Sequence, residues 1–251
     1  MSSDKRIILI TGGNNGIGYD TVAALSSADA NNHIILAARS EERGLKALEE
    51  LKARKPAGTI SFVKLDVTDD SSIAAAAAQV EKEFGRLDVL VNNAGIAITK
   101  PTDREVFRQT FETNVYGPAL LTDALAPLLK KSKDPRIINV SSGLGSIAKR
   151  ADPKDDYYST AADPYRMSKA ALNMLTTCQS YNYKDDGFKV WTYCPGFVIT
   201  DLTGKDHRKW REENGADSSE TSAQGILEIV EGKRDGEVNC FVQRYGKQFP
   251  W

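Results

Sequence analysis

A tyrosine and a lysine that stand four positions apart, Tyr165 and Lys169, are well suited to proton transfer. Residues with this spacing share one face of a helix. A lysine ammonium beside a phenol stabilises the phenolate and lowers the tyrosine pKa from its usual value of about 10. Such a tyrosine can exchange a proton with a carbonyl or alcohol oxygen near neutral pH. Taken alone, the spacing more often marks a surface tyrosine with a solvated lysine.

A glycine-rich turn lies near the start of the chain, with Gly12, Gly16 and Gly18 inside the sequence TGGNNGIG. The apolar run at residues 7–10 predicts a buried parallel strand before it, and residues 19–28 predict a helix after it. Glycines let the backbone approach a pyrophosphate, and a helix N-terminus offers free N–H groups and a positive dipole end. We therefore predict a dinucleotide site, with a tight turn that binds no ligand as the alternative.

The type of nicotinamide cofactor is indicated by Arg39, which directly follows the predicted strand at residues 33–38. A carboxylate at the end of this strand would bind a ribose 2′-hydroxyl, but the first acidic residue after the strand is Glu41. An arginine can instead pair with a 2′-phosphate. The sequence thus predicts NADPH rather than NADH, with Asn14 or Ser40 assisting by hydrogen bonds. A solvated arginine is the alternative.

Strand and helix patterns alternate along most of the chain. Apolar runs predict strands at residues 7–10, 33–38, 60–65, 87–91, 136–140, 188–194 and 238–242. Helical patterns lie at residues 19–28, 41–54, 73–84, 103–131, 164–183 and 219–230, with a bend expected at Gly117 and Pro118. This alternation predicts a single α/β domain over residues 1–251. Its expected architecture is a Rossmann-type, doubly wound parallel sheet of about seven strands with helices on both faces.

The unusual short motifs follow the predicted strands directly. They are residues 11–18, Arg39, Asp66, residues 92–95, residues 141–143 and residues 195–200. Ligands of such sheets bind outside the carboxyl ends of the strands, so these motifs should line one crevice.

These motifs make the chain resemble the short-chain dehydrogenase/reductase family, and within it the NADPH-dependent carbonyl reductases. The resemblance spans residues 6 to about 245. It rests on residues 11–18, Asp66, residues 92–95, Asn114, Ser142, Tyr165 with Lys169, and residues 195–200, in the order that the family has. Asn15 departs from many NADPH-preferring relatives, which carry a lysine or arginine there.

The resemblance implies four catalytic residues. Tyr165 would donate or accept the proton, and Lys169 would lower its pKa and hydrogen-bond the nicotinamide ribose. Ser142 would hold the substrate oxygen, with Ser141 the less favoured candidate. Asn114 would position a water next to Lys169, and a helix-kink residue is the alternative for this asparagine.

The resemblance also implies contacts with the cofactor. Asp66 would contact the adenine beside the backbone of Val67, although a helix N-cap is another reading of Asp66. Asn93 would lie against a ribose or brace the sheet, and Thr200 and the Val198 backbone would hold the nicotinamide. The full set of expected cofactor-binding residues is Thr11, Gly12, Asn14, Asn15, Gly16, Ile17, Gly18, Arg39, Ser40, Asp66, Val67, Asn93, Ala94, Gly95, Tyr165, Lys169, Pro195, Gly196, Val198 and Thr200.

Composition argues against several classes of partner. The 33 basic and 34 acidic residues balance, so neither nucleic acid nor an anionic membrane is expected as a partner. No apolar run is long enough to span a bilayer. The two histidines have no neighbour at ligand spacing, so no metal site is expected. Three widely spaced cysteines and a polar N-terminus indicate a cytoplasmic protein.

The segment before Tyr165 carries an insertion. Tyr165 lies 23 positions after Ser142, roughly ten more than is usual in the family. The insertion, near residues 150–162, adjoins the helix that often forms the family's dimer interface, and the chain is expected to be a monomer or a homodimer. Tyr157, Tyr158 and a lid around residues 201–218 are expected at the pocket mouth. Trp210 would pack on a substrate or anchor the lid.

The sequence therefore predicts an enzyme that reduces a ketone or aldehyde with NADPH. Alcohol oxidation or a specialised biosynthetic reduction would use the same residues. A non-catalytic NADP(H)-binding sensor is an alternative of another class, but its expected loss of the tyrosine, lysine or serine is not seen. A non-redox isomerisation or dehydration would need a further acid or base, which the sequence does not identify.

Overall fold

The computed structural model describes residues 5–98, 102–204 and 206–251. Its strands are β1 (Arg6–Thr11), β2 (Asn32–Ala38), β3 (Thr59–Lys64), β4 (Val89–Asn92), β5 (Arg136–Val140), β6 (Lys189–Cys194) and β7 (Phe241–Gln243). They form one sheet in the order β3-β2-β1-β4-β5-β6-β7, and every neighbouring pair is parallel. The prediction of a doubly wound parallel sheet with about seven strands is confirmed.

Helices cover both faces of the sheet. They are α1 (Gly16–Ala28), α2 (Glu41–Ala53), α3 (Asp70–Phe84), α4 (Arg104–Phe111), α5 (Gly117–Leu129), α6 (Ile147–Ala151), α7 (Asp163–Asn182), α8 (Asp206–Glu213) and α9 (Ser219–Val230). Across the described ranges, none of these helices combines the length and the apolar character that crossing a membrane requires.

The position of the ligand crevice follows from the strand order. The chain runs outward from β1 to β2 and β3, and then crosses to β4 on the other side of β1. The loops after β1 and β4 therefore lead away from each other and leave a gap between them. In open α/β sheets this switch point is where ligands bind.

The core consists of apolar side chains packed on the two faces of the sheet. On one face, Leu25 of α1 and Ile226 of α9 are fully buried against the strands. On the other face, Ile73 of α3 and Leu121 of α5 are buried in the same way. Because both faces are covered, the central strands are continuous apolar runs, which is why the sequence pattern reveals them.

The predicted helical region at residues 103–131 is divided in the structure. A π-helical turn, Glu112–Tyr116, separates α4 from α5 and lies directly before the predicted bend at Gly117. A π turn inserts one extra residue into a helix and often occurs at functional sites. Here it holds Asn114 fully buried.

Two polar segments contain structure that the sequence pattern does not predict. The lid region at residues 201–218 includes α8. Lys205, which falls in this region, lies outside the described residues. The side chains of α8 are almost all polar or charged, so no apolar period marks it. The insertion begins with α6 and is then held by Arg166, whose guanidinium donates to the carbonyl groups of Tyr157 and Thr160.

Candidate active site

A crevice with a volume of about 550 Å³ opens beside the ends of β1 and β4. The predicted cofactor-binding residues that line it are Gly12, Asn14, Asn15, Gly16, Ile17, Arg39, Asp66, Val67, Asn93, Ala94, Gly95, Tyr165, Lys169, Pro195 and Thr200. The predicted residues that lie outside its lining are Thr11, Gly18, Ser40, Gly196 and Val198. The tertiary fold thus gathers six sequence-distant motifs around one cavity.

The turn between β1 and α1 requires glycine at several positions. Gly12 and Gly16 have φ angles of +65° and +54°, which glycine adopts without strain. A Cβ atom on Gly18 would lie only 2.3 Å from the Gly12 carbonyl oxygen. The helix therefore starts in direct contact with the turn, and its first residues border the crevice.

Replacing Gly18 by alanine is expected to lower the free energy of unfolding by about 1–3 kcal/mol, because the new methyl group must displace backbone atoms. Urea denaturation of wild type and variant measures this difference. Gly236→Ala is the matched control, since a Cβ there would meet no atom within 4 Å. Its stability should change by less than about 0.5 kcal/mol. Equal stabilities of the two variants would contradict the close approach at Gly18.

Asn93, which directly follows β4, holds the glycine turn through hydrogen bonds with Thr11, the last residue of β1. The Asn93 side-chain amide donates to the Thr11 carbonyl oxygen at 2.8 Å. In return, the Thr11 hydroxyl oxygen accepts the backbone N–H groups of Asn93 and Ala94, each at 2.9 Å. Asn93 therefore stabilises the sheet and also borders the crevice, and its contact with a ribose stays a prediction.

Two arginines stand at the end of the crevice beside β2. Arg39 follows the strand directly, and Arg43 lies one turn further on, in α2. Both side chains are exposed and border the cavity, and Ser40 caps α2 by accepting the Arg43 backbone N–H. Arg43 is not among the residues predicted from the sequence. Its position four residues after Arg39, in the first turn of the predicted helix, could have indicated that it lies near Arg39.

Asp66 lies after β3 and is held by its own turn. Its carboxylate accepts the backbone N–H and the hydroxyl of Thr68 at 3.0 Å and 2.8 Å. The N-cap of α3 is Asp69, so the alternative reading of Asp66 as a helix N-cap is wrong. Asp66 borders the crevice, and its contact with an adenine stays a prediction.

The carboxyl end of β5 and the start of α7 bring Ser142 and Tyr165 together. The hydroxyl of Ser142 lies close enough to that of Tyr165 to affect its pKa, and it accepts the Leu144 backbone N–H at 3.2 Å. Ser141 points elsewhere, since its hydroxyl lies 2.6 Å from Asn173 Oδ1 in a buried hydrogen bond. This geometry supports Ser142 over Ser141 as the residue that holds a substrate oxygen.

Lys169 lies one turn after Tyr165 on α7, and both side chains are buried. Its ammonium donates to the Val140 carbonyl oxygen at 2.8 Å and lies 5.7 Å from the centre of the Tyr165 ring. The side chains therefore share one face of the helix, as the spacing predicts.

Asn114 connects the π turn to the catalytic helix. Its amide nitrogen donates to the Ile96 carbonyl oxygen at 2.9 Å and to the Ser168 hydroxyl at 3.0 Å, and its oxygen accepts the Ile96 N–H. A Cβ on Gly95 would lie between the Asn114 oxygen, at 3.3 Å, and the Lys169 ammonium, at 3.6 Å. The asparagine thus lies close to Lys169, and a role in holding a water stays a prediction.

Burial dominates the electrostatics of the two catalytic candidates. It raises the pKa of Tyr165 to about 12, although the Ser142 hydroxyl and the charge of Arg211 act in the opposite direction. Burial also lowers the pKa of Lys169 to about 8. In this structure the Lys169 ammonium is directed at the Val140 carbonyl oxygen, and its effect on the tyrosine pKa stays a prediction.

The loop after β6 closes the crevice from the other side. Gly196 has a φ angle of +87°, and Thr200 is almost completely buried. A Cβ on Gly16 would lie 3.4 Å from the Thr200 methyl carbon, and the Asn15 amide donates to Asp201 at 3.3 Å. The glycine turn and the loop after β6 are therefore in contact, and both can border the same ligand.

The predicted pocket mouth is only partly as expected. Tyr157 packs edge-on against Phe249, with ring centres 6.1 Å apart, and a Cβ on Gly143 would lie 3.1 Å from Tyr157. Tyr157 is thus next to the residue that follows Ser142. Tyr158 is exposed. Trp210 is 54% exposed and lies edge-on to Phe197, so it is not a buried lid anchor.

This fold and this site are together those of an oxidoreductase of the dinucleotide-binding α/β class. The chain belongs to the short-chain dehydrogenase family, whose sequence profile (short chain dehydrogenase) matches residues 6–211. It is therefore an enzyme of a family that uses nicotinamide cofactors.

Individual relatives agree with this assignment. The short-chain dehydrogenase anuI of Penicillium roqueforti is 36% identical over 246 residues, which cover 95% of this chain and 97% of that protein. The (+)-neomenthol dehydrogenase of Arabidopsis thaliana is 32% identical over 256 residues, with coverages of 80% and 85%. The crystal structure of the NADPH-bound carbonyl reductase from chicken fatty liver superimposes with a TM-score of 0.84 at 33% identity, covering 98% of this chain and 99% of that one.

Proposed function

We propose that this enzyme reduces a ketone or aldehyde to an alcohol with NADPH. The observation that carries the proposal is that Tyr165 and Lys169 border the same crevice as Arg39 and Arg43, with the Ser142 hydroxyl close enough to Tyr165 to affect its pKa. The similarity to a carbonyl reductase that was crystallised with NADPH supports it.

The shape and charge of the crevice fit NADPH. The positive-φ glycine turn and the start of α1 offer backbone N–H groups to a pyrophosphate. Arg39 and Arg43 would hold the 2′-phosphate, since a guanidinium pairs with phosphate through charge-assisted hydrogen bonds. Lys169 would hydrogen-bond the nicotinamide ribose, and Thr200 the carboxamide. The remaining crevice residues named above would complete the site.

The catalytic residues would act on the substrate oxygen. Ser142 and Tyr165 would both hydrogen-bond the carbonyl oxygen, and Tyr165 would transfer its proton there while the carbonyl carbon is reduced. The bound nicotinamide supplies the hydride. The positive charge of Lys169 would favour the phenolate that remains. We also propose that Asn114 keeps Lys169 connected to a proton source.

The pH dependence of the reaction should report Lys169. Its ammonium has a pKa of about 8 and loses its charge above that value, whereas Tyr165, with a pKa of about 12, keeps its proton. For a ketone that does not ionise, kcat/KM of reduction should be constant below pH 8 and fall about tenfold per unit above it.

The measurement is a kcat/KM profile from about pH 6 to about pH 10 at saturating NADPH. A buffer-independent decline centred near pH 8 is expected. A profile that stays flat throughout this range would show that the Lys169 charge is not required.

The first test of the proposal measures oxidation of NADPH and NADH in parallel. The substrates are a panel of quinones, isatins, keto esters and aldehydes, with Tyr165→Phe as the inactive control. Turnover with NADPH that this variant loses would support the proposal. A clear preference for NADH would refute the role of Arg39 while leaving the catalytic residues in place.

Two alternatives remain testable in the same assay. Oxidation of an alcohol with NADP⁺, or a specialised biosynthetic reduction, would use the same residues, and the similarity to (+)-neomenthol dehydrogenase favours including terpenoid alcohols and ketones. An NADP(H)-binding sensor would bind the cofactor without turnover.

The cellular setting is part of the proposal. Cys178, Cys194 and Cys240 are all free thiols in the structure, which suits a reducing compartment such as the cytoplasm. A monomer or a homodimer stays the expected assembly, and light scattering would distinguish them.

A further inference from the structure

Arg211 is an arginine of the lid helix α8 that reaches down to the loop after β6. One terminal nitrogen, Nη1, donates to the Val198 carbonyl oxygen at 2.9 Å, and the other, Nη2, lies 3.3 Å from the Thr203 hydroxyl. The guanidinium also lies 5.4 Å from the centre of the Phe197 ring. These contacts hold the cation against the loop after β6, which also borders the cofactor crevice.

No carboxylate in the described part of the chain forms an ion pair with Arg211. The neighbouring cations of α8 differ, since Arg208 pairs with Asp201 and Lys209 pairs with Glu213. The Nε–H of Arg211 is buried and has no acceptor among the described residues. A half-buried cation without a counter-ion is unfavourable, and burial accordingly lowers the pKa of Arg211.

The nearby catalytic phenol does not neutralise this charge. Arg211 and Tyr165 are close enough for each to affect the pKa of the other. Tyr165 is nevertheless protonated at neutral pH, because its pKa is about 12. Arg211 is not among the residues that line the cofactor crevice. Arg211 therefore acts on Tyr165 from outside the lining of that crevice.

The edge of the guanidinium that carries Nε–H and Nη2–H has a defined chemistry. Nε–H and the adjacent Nη2–H point in the same direction and form the fork that binds a carboxylate through two parallel hydrogen bonds. In this structure one of the two has no acceptor and the other has only the long contact with Thr203. A carboxylate would satisfy both and would replace a weak neutral contact with a charge-assisted pair.

We propose that Arg211 binds a carboxylate of the substrate, and that the enzyme therefore prefers oxo acids, carbonyl compounds with a carboxylate near the reacting carbonyl. This inference rests on the proposed function. In the reaction, hydride from NADPH adds to the carbonyl carbon as the C=O π bond breaks, and the Tyr165 proton goes to the oxygen. The products are a hydroxy acid and NADP⁺, and the carboxylate itself is unchanged.

The test compares substrates of nearly equal shape that differ in charge. The pairs are phenylglyoxylate with methyl phenylglyoxylate, and 2-formylbenzoate with methyl 2-formylbenzoate. Wild type should have the higher kcat/KM for the acid of each pair. Arg211→Gln should lower kcat/KM for the acids about 10–100-fold, mainly through KM, and should change the values for the esters less than about threefold.

Two variants serve as controls. Lys209→Gln removes the same charge from the same helix, but its side chain is 84% exposed and two positions away, which places it on the opposite side of α8. It should leave both members of each pair unchanged. Arg211→Lys keeps the charge without the fork and should retain part of the preference for the acids.

Three outcomes would overturn the inference. The first is a wild-type preference for the esters. The second is an equal loss for acid and ester in Arg211→Gln, which would indicate a structural role in the lid. The third applies if the enzyme reduces none of the four compounds, a result that counts against the proposed function and leaves the carboxylate site to a binding measurement. Calorimetric titration of phenylglyoxylate into the NADP⁺ complex then decides separately, since equal affinity of wild type and Arg211→Gln would refute the carboxylate site.

Discussion

Replacing Tyr165 by phenylalanine should lower kcat for carbonyl reduction about 10²–10⁴-fold, the usual contribution of a positioned general acid. The change removes the hydroxyl that lies near Ser142 and keeps the ring, which is 93% buried. Because the packing is retained, folding and the binding of NADPH should change little. The loss should therefore appear in kcat rather than in the affinity for the cofactor.

The measurements are steady-state kinetics and calorimetric binding of NADPH for wild type and Tyr165→Phe. Tyr181→Phe is the matched control, because this tyrosine lies on the same helix with 69% of its surface exposed. It should retain full activity. If Tyr165→Phe kept more than about a tenth of the wild-type kcat, proton donation by this phenol would be excluded.

The second large effect concerns the choice of cofactor. Arg39→Ala should lower kcat/KM with NADPH about 10–100-fold, because hydrogen bonds between charged groups typically contribute about 1.5–3 kcal/mol. The value with NADH should change less than about threefold, since NADH has no 2′-phosphate. Arg43→Ala should act in the same direction, and the double variant should reverse the preference between the two cofactors if both residues bind the phosphate.

Lys46→Ala is the control for this series. Lys46 lies on α2 shortly after Arg43, is exposed, and does not border the crevice. Removal of its charge should leave the ratio of the two kcat/KM values unchanged. An equal loss with NADPH and NADH in Arg39→Ala would mean that the arginine stabilises the protein or the shared part of the cofactor, and would refute its role in selecting NADPH.

Much of the architecture is predictable because the relevant signals are local. The central strands are buried on both faces and are therefore uninterrupted apolar runs. The glycine turn is recognisable because positive φ angles and the close approach at Gly18 both exclude larger residues. Tyr165 and Lys169 share a helix face through their spacing alone. Arg39 follows from its position directly after β2.

Other features leave no local signal. Helix α8 lacks an apolar stripe, because most of its surface faces solvent and few of its residues pack inward. The π turn that carries Asn114 depends on one additional residue in a helix of ordinary composition. The first of these elements carries Arg211, and the second carries Asn114, which lies close to Lys169.

By itself the sequence determined the fold class and the glycine turn and predicted the residues of the site, because short-range geometry and side-chain type are properties of the chain. Only the tertiary structure shows that Ser141 is hydrogen-bonded to Asn173, and that Arg211 lies near Tyr165 without a carboxylate partner in the described ranges. It also decided the direction of the Tyr165 pKa shift. Each of these depends on burial and on contacts between residues far apart in the chain, and burial penalises a charge by an amount that no local pattern encodes.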